Sequence, residues 1–208
     1  PTDPALPLFH EGDISWVDWD VDGYTGIELW NGFSELKCVI RNRISAIFYA
    51  FFPQFIARGP EPQSIARWDS LLASGKKVVA IGGSDAHMLK KSMGLLRRTI
   101  FPYRFHFKTV NTHVFTPNPL SGDLAADRRM LYQALQKGNC FVGYDLPAST
   151  RGFRFTAQTA GGLALMGNEV RLTGSATLQV RLPLVTECRL IKDGAVIKTW
   201  QDQNVCMH

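Results

Sequence analysis

Residues 76–87 read Lys-Lys-Val-Val-Ala-Ile-Gly-Gly-Ser-Asp-Ala-His, and this stretch decides the predicted fold. Residues 78–81 are a short, apolar, β-branched run that ends in two glycines, which is typical of a strand buried on both faces of a parallel sheet. Asp85 and His87 follow directly. Because ligands gather at the carboxyl ends of strands in parallel α/β folds, this polar pair indicates a binding site.

The spacing of Asp85 and His87 favours a metal site. Residues two apart in an extended segment point to the same side, so a carboxylate oxygen and an imidazole nitrogen can bind one ion. The two glycines allow the backbone to approach closely. Ser84 can hydrogen-bond a ligand or cap a following helix. The competing interpretation is a loop aspartate that caps a helix beside an incidental histidine.

The residues before this stretch predict a strand and two helices. Residues 24–30 alternate in polarity like a strand and end at the turn signal Asn31-Gly32. Apolar residues at three- and four-residue steps predict a helix from Ser34 to Pro53. A second helix is predicted to end at Gly75. Strand, helix and strand at this spacing form a βαβ unit with parallel strands.

Glu28 lies on the first predicted strand, just before its turn. A carboxylate among apolar residues is costly to bury without a partner, so Glu28 is expected to face a cation, a hydrogen-bond donor or solvent. The position leaves two roles open, as a metal ligand or as the partner of a ligand or loop.

The second half predicts a change of architecture. A strand at 109–115, a helix from Ser121 or Asp123 to Gly138 and a strand at 140–144 continue the α/β pattern. Short β-prone segments then follow, with the hairpin signal Asp193-Gly194 near the end. We therefore predict an α/β domain at residues 1–148 and a small antiparallel, sandwich-like β module at 149–208.

Charge is distributed unevenly in a chain of formal net charge +5. Residues 1–36 carry eight acidic residues and no lysine or arginine, whereas residues 37–108 carry 13 basic residues and three acidic ones. The two regions can bind a cation beside an anion, or they can be ordinary solvated faces. The predicted contacts for a substrate anion are Lys90, Lys91 and Arg97. We predict no nucleic-acid partner, since no recognition helix or stacking motif stands out.

Several classes are excluded by the composition. The longest apolar run, residues 46–52, falls far short of the ~20 residues that a membrane span needs. The four cysteines lie far apart, which argues against a disulfide framework or a structural zinc site. The phosphate-binding P-loop and the nucleophile elbow are both missing. The sequence leaves the oligomeric state and the cellular location open.

Two segments resemble the later part of PHP-domain proteins, the polymerase and histidinol phosphatase superfamily. They are Gly-Ile-Glu-Leu-Trp-Asn-Gly at 26–32 and Gly-Gly-Ser-Asp-Ala-His at 82–87. The resemblance implies a distorted (β/α)7 barrel in which two or three divalent metal ions (Zn, Mn or Fe) activate water for hydrolysis, usually of phosphoesters. Asp85 and His87 match the last metal-binding motif of the family, and Glu28 and Asn31 match a position beside the metal pocket.

The early motifs of that family, a His-x-His pair and further ligands, are missing from residues 1–25. We therefore expect this chain to be the C-terminal part of a longer protein, with part of a PHP-type barrel followed by the β module. The leading hypothesis is a metal-dependent hydrolase, a phosphoesterase, that acts on a small anionic substrate. The alternative is a non-catalytic binding or scaffold protein without a full set of metal ligands. A third possibility is a β module that binds carbohydrate or a partner protein.

Overall fold

A computed structural model describes residues 4–7, 12–93 and 96–208, with the side chains of residues 89–98 left outside the description. The first part of the chain begins with a strand, continues through three helices and returns to a second strand. These elements are β1 (Gly26–Asn31), α1 (Gly32–Val39), α2 (Arg43–Phe51), α3 (Pro62–Ala73) and β2 (Val79–Gly83).

The βαβ unit predicted from residues 24–83 is confirmed. β1 and β2 pair in parallel, with Gly26 opposite Val79 and Asn31 opposite Gly83, so both strands end at the same edge. Gly82 is required here, because a Cβ on it would lie 2.6 Å from Val142 Cγ1 and 3.0 Å from the carbonyl oxygen of Trp30. The glycine therefore allows the strand to pack against its neighbours on both sides.

The single helix predicted from Ser34 to Pro53 is two helices. Asn31 caps α1 by accepting hydrogen bonds from the backbone N–H groups of residues 33 and 34, whereas Ser34 is buried inside the helix. Asn42 caps α2 and forms a capping box with Ser45. Asparagine side-chain oxygens satisfy the first N–H groups of a helix well, so each asparagine starts a new helix.

The middle of the chain forms a hairpin, two helices and a second pair of strands: β3 (Leu89–Met93), β4 (Leu96–Ile100), α4 (Tyr103–His106), β5 (Val110–Val114), α5 (Leu124–Gln136) and β6 (Cys140–Tyr144). β5 and β6 pair antiparallel. Thr112 on β5 joins them to β2, since its Oγ1 donates to the Gly82 carbonyl (2.6 Å) and accepts from the Gly82 N–H (2.9 Å). This contact holds the carboxyl end of β2 in place.

The C-terminal strands form an antiparallel module: β7 (Arg154–Thr159), β8 (Gly162–Leu165), β9 (Thr177–Lys192) and β10 (Ala195–Met207). The hairpin predicted at Asp193-Gly194 is confirmed, with φ values of 52° and 75° that suit a type I′ turn. The strands follow the order β10-β9-β7-β8 in one sheet, so the sandwich-like arrangement is wrong for the described residues. The boundary near residue 148 stays a prediction.

The (β/α)7 barrel is also wrong. The described strands lie in four separate sheets, three of which have only two strands, and β1 with β2 is the parallel pair among them. A closed barrel requires every strand to pair on both sides. The motif at residues 82–87 depends on the chemistry of one strand end and carries no information about how many strands lie beside it.

None of the described helices has the length and apolar character needed to cross a membrane.

Candidate metal-binding site

The candidate site lies at the edge where β1 and β2 both end. Glu28 on β1 is opposite Ile81, and Asn31 at the end of β1 is opposite Gly83. The loop that leaves β2 carries Asp85 and His87. Parallel pairing therefore brings the predicted residues from both segments to one edge, although they are more than fifty positions apart in the sequence.

Asn31 joins the two carboxylates of this edge. Its Oδ1 accepts hydrogen bonds from the N–H groups of Phe33 and Ser34, both at 2.9 Å, and this fixes the orientation of the amide. Its Nδ2 must then point the other way, where it donates to Glu28 Oε2 at 3.1 Å and to Asp85 Oδ2 at 3.3 Å. One amide nitrogen therefore holds two carboxylates close together.

Asp85 has a backbone φ of 47°, in the left-handed region. Residues with a Cβ pay roughly 1–2 kcal/mol there, and aspartate is among the side chains that tolerate it. Residues in such strained conformations cluster at functional sites. The turn at Asp85 directs its carboxylate toward Asn31.

His87 is oriented by the backbone of the same turn. Its Nδ1 lies 2.8 Å from the Asp85 carbonyl oxygen and 3.2 Å from Asp85 Oδ1. Because a carbonyl oxygen can only accept, Nδ1 carries the proton in the neutral ring and Nε2 carries the lone pair. The ring packs against Phe33 at a centroid distance of 5.1 Å, while the side chain remains 59% exposed. Metal-binding histidines commonly have this arrangement, with one nitrogen held by an acceptor.

His106 is a buried residue that hydrogen-bonds the backbone of the loop carrying His87. It is 4% exposed, and its Nε2 donates to the His87 carbonyl oxygen at 3.2 Å. Burial lowers the pKa of His106, although hydrogen bonds with the backbone of His87 and Ser84 act against it. A hydrogen-bonded core histidine is what its surroundings in the sequence predict. Ser84 lines a cavity of about 20 Å³ beside His106, which is room for about one water molecule.

The side chains at this edge carry donor atoms of the types that bind divalent cations. Carboxylate oxygens and an imidazole nitrogen are ligands for Zn, Mn and Fe. The number of donors is small, however. Within the described ranges, no group of three or more His, Cys, Asp or Glu side chains is arranged to hold a metal ion. The edge therefore brings together Asp85 and His87, with Glu28 across the Asn31 amide, and these side chains alone do not make a complete ligand set.

The predicted anion contacts lie next to the site in the sequence. Lys90 and Lys91 are on β3, which begins two residues after His87, and Arg97 is on β4. β3 and β4 form an antiparallel hairpin in which Lys91 is paired with Arg98. The side chains of Lys90, Lys91 and Arg97 lie outside the described residues, so their role stays a prediction.

No protein family, no curated protein and no solved structure matches this chain. The resemblance to PHP-domain proteins consequently rests on sequence motifs alone. The geometry at the edge of β1 and β2 stands independently of it.

A second polar cluster, which the sequence analysis missed, lies at the end of β5 and β6. Asp145 Oδ2 accepts from Asn111 Nδ2 (2.9 Å) and His113 Nε2 (3.0 Å), and Asp145 Oδ1 accepts from the N–H and hydroxyl of Thr150 (2.7 and 2.6 Å). Thr150 Oγ1 also lies 3.0 Å from His113 Nε2. A catalytic triad needs the hydroxyl and the carboxylate on opposite ring nitrogens, whereas here both meet the same one. The cluster therefore stabilises the loop at residues 145–150 through hydrogen bonds. The alternation of Asn111 and His113 on one strand face was the available signal.

A large groove lies away from the candidate site. A volume of about 1150 Å³ is bounded by β2, β6 and the β module, and its lining includes Trp68, Phe141 and Phe155. It contains none of the residues of the candidate metal site. We keep the candidate site at the strand ends and not in this larger groove, because the convergent polar groups are at the strand ends.

Proposed function

We propose that this chain binds a divalent metal ion through Asp85 and His87, with Glu28 beside them, and serves the hydrolysis of a small anionic ester. The observation that carries the proposal is the convergence of two carboxylates from two parallel strand ends on the single amide of Asn31, at 3.1 and 3.3 Å. Two neighbouring carboxylates repel each other unless a donor or a cation lies between or beside them. His87 provides a neutral imidazole ligand of the kind that metal ions prefer. Asp85 Oδ1 lies beside Nδ1, on the side of the ring away from the Nε2 lone pair, so one ion that binds both side chains requires the exposed imidazole to turn.

Each residue has a separate task in this proposal. Asp85 and His87 hold the ion, and Glu28 adds negative charge that favours a cation. Asn31 keeps the two carboxylates at a fixed separation, because its cap on α1 prevents the amide from turning. His106 hydrogen-bonds the carbonyl of His87 and so holds the backbone of the loop in position. A divalent ion held by these residues would supply Lewis-acid polarisation of the ester and activation of water near neutral pH.

The substrate class follows from charge. The basic residues 90, 91 and 97 follow His87 closely in the sequence, and phosphate esters bind where lysine and arginine lie beside a metal ion. A phosphomonoester or phosphodiester is therefore the substrate class that we propose.

The test is hydrolysis of p-nitrophenyl phosphate and bis-p-nitrophenyl phosphate by the purified chain with added Mn²⁺ or Zn²⁺. We expect chelation to abolish turnover, and Asp85→Asn or His87→Ala to lower it by ~100-fold or more. Asp202→Asn is the matched control, because Asp202 also has a left-handed backbone, with φ of 52°, and lies on β10. Turnover that survives chelation, or that falls equally in the control, would overturn the proposal.

A second candidate is a binding or scaffold protein that retains the site without chemistry. It is favoured by the small ligand number, since the described residues contain no group of three or more metal-ligating side chains. In that case the chain binds the metal ion but releases no p-nitrophenol at any metal concentration. Metal binding and turnover, measured on the same preparation, separate the two candidates.

A further inference from the structure

The α2 face is an apolar surface on the outside of the chain. We define it as Ile44, Ile47, Phe48, Phe52 and Phe55, which are between 44% and 79% exposed. The Phe48 ring lies 5.2 Å from that of Phe52 and 6.0 Å from that of Phe55, so the surface is continuous. With about 200 Å² on a large apolar side chain, the face exposes on the order of 500 Å². Patches of that size on a monomer commonly mark interaction sites.

The charged residues next to the α2 face in the sequence are basic, although Glu35 lies beside Arg58 and accepts a hydrogen bond from its N–H. Arg41, Arg43 and Arg58 flank the face, and residues 36–60 contain no aspartate or glutamate. Arg41 and Arg43 also lie at the N-terminal end of α2, where the helix dipole is positive and further positive charge is unfavourable. Neither of these two arginines forms an ion pair with another described residue. A partner surface that is both apolar and acidic would cover the exposed apolar side chains and neutralise the arginines.

The chain carries such a surface itself. Residues 12–23 read Gly-Asp-Ile-Ser-Trp-Val-Asp-Trp-Asp-Val-Asp-Gly, with four aspartates and no basic residue. We call this the acidic segment. Ile14, Trp16 and Val17 within it are 71%, 51% and 85% exposed.

One end of the acidic segment is attached to its own chain. Asp22 pairs with Lys76 at 2.6 Å, and Trp19 stacks under Arg67 at 4.9 Å. Asp18 and Asp20 form no ion pair with a described residue. The attached end therefore presents a charged, apolar strip of fixed location to an outside partner.

We infer that the α2 face of one copy of this chain binds the acidic segment of a second copy. Aromatic and aliphatic side chains meet across the contact, and the aspartates 18 and 20 face the arginines 41 and 43. Complementary charge of this kind sets the orientation of an association and accelerates it. The two surfaces differ, so each copy has one of each, and a pair of copies can satisfy both contacts reciprocally.

Charge exchange tests the inference by sedimentation velocity. We expect the chain to associate, with weaker association at high salt. Arg41→Glu plus Arg43→Glu gives two acidic surfaces, and Asp18→Lys plus Asp20→Lys gives two basic ones, so each variant alone should associate at least ~10-fold more weakly. An equimolar mixture of the two variants should associate again, because every acidic surface then finds a basic one. Arg128→Glu plus Arg129→Glu on the exposed side of α5 is the control and should leave association unchanged.

Other occupants give different results. If the acidic segment covers the α2 face of its own chain, the wild type is monomeric and the mixture is too, which overturns the inference. If the face binds an anionic bilayer, phosphatidylserine vesicles bind the wild type and the Asp18→Lys plus Asp20→Lys variant but not the arginine variant, with no association in the mixture. That outcome also overturns it. Restored association in the mixture alone supports contact between copies.

Discussion

The substitution Asn31→Asp separates the two tasks of the Asn31 side chain. Aspartate caps helices about as well as asparagine, so the hydrogen bonds from the N–H groups of Phe33 and Ser34 are kept. The Nδ2 donor is lost, and an acceptor oxygen takes its place against Glu28 and Asp85. Three carboxylates then meet at one edge of the β1–β2 pair, and the amide donor that joined Glu28 to Asp85 is gone.

The size of the effect follows from the two lost hydrogen bonds. A hydrogen bond to a charged group contributes roughly 1.5–3 kcal/mol, and the lengths of 3.1 and 3.3 Å place these two at the lower end. We expect the free energy of unfolding of the metal-free variant to fall by about 3 kcal/mol near pH 7. In a chain of this length the fall in Tm is then about 6–12 °C.

A divalent cation should reverse the loss. Three carboxylates attract a cation more strongly than two, and a ligand at a hundred times its Kd stabilises the folded state by about 2.7 kcal/mol. Saturating Mn²⁺ or Mg²⁺ should therefore return most of the lost stability in Asn31→Asp and raise the Tm of the wild type less.

The measurement is urea unfolding followed by circular dichroism, with and without metal, alongside Asn42→Asp. Asn42 caps α2 by the same kind of hydrogen bond, from Ser45 N at 2.9 Å, and its amide meets no carboxylate among the described residues. That control should change stability by less than ~0.5 kcal/mol. If metal-free Asn31→Asp is no less stable than Asn42→Asp, the two carboxylates do not converge on Asn31 and the reasoning is refuted.

Three further predictions concern the surroundings of the site. Gly82→Ala should lower the free energy of unfolding by about 1–3 kcal/mol, because the new methyl group would lie 2.6 Å from Val142 Cγ1. Gly174 has open space around it, so Gly174→Ala should change the free energy of unfolding little. Equal losses of stability in the two variants would contradict the packing around Gly82. Burial acts to raise the pKa of Asp145, but hydrogen bonds from Thr150, His113 and Asn111 outweigh it and hold that pKa below 3.8. The stability lost in Asp145→Asn should therefore be greatest above pH 3.8 and shrink as the pH falls through the folded-state pKa, whereas a pH-independent deficit would contradict the network. Burial raises the pKa of Cys188, which lies beside Cys206, to about 11, and it also raises the pKa of Cys140. Cys38 is the exposed thiol, so Ellman's reagent at pH 8 should label Cys38 first and the three buried thiols only after unfolding.

The strand end that carries the candidate site could be predicted from the sequence because its signals are local. A buried strand that ends in glycines, followed by Asp85 and His87, indicates a polar strand end wherever that strand lies. The parallel partner of β2 was also predictable, since one strand, the helices and a second strand follow at βαβ spacing. The two short segments therefore indicate which residues meet at the edge of β1 and β2.

The number and pairing of strands could not be predicted in the same way. Hydrogen bonding between distant strands leaves no local pattern, so the barrel implied by the resemblance was wrong although the strand end was correctly located. The helix break at Asn42 was missed because the apolar spacing continues through it, while the decisive interaction is one side-chain cap. Asn31 was expected only near the pocket, and its two hydrogen bonds to carboxylates depend on tertiary pairing.

We propose that the carboxyl edge of β1 and β2 binds a divalent cation through Asp85 and His87. Isothermal titration of Mn²⁺ and Zn²⁺ into the chain tests it directly, with the Asp85→Asn plus His87→Ala variant in parallel. The account predicts saturable binding by the wild type and an affinity at least ~100-fold weaker in the variant. Absence of binding to the wild type, or equal binding to both chains, would contradict it.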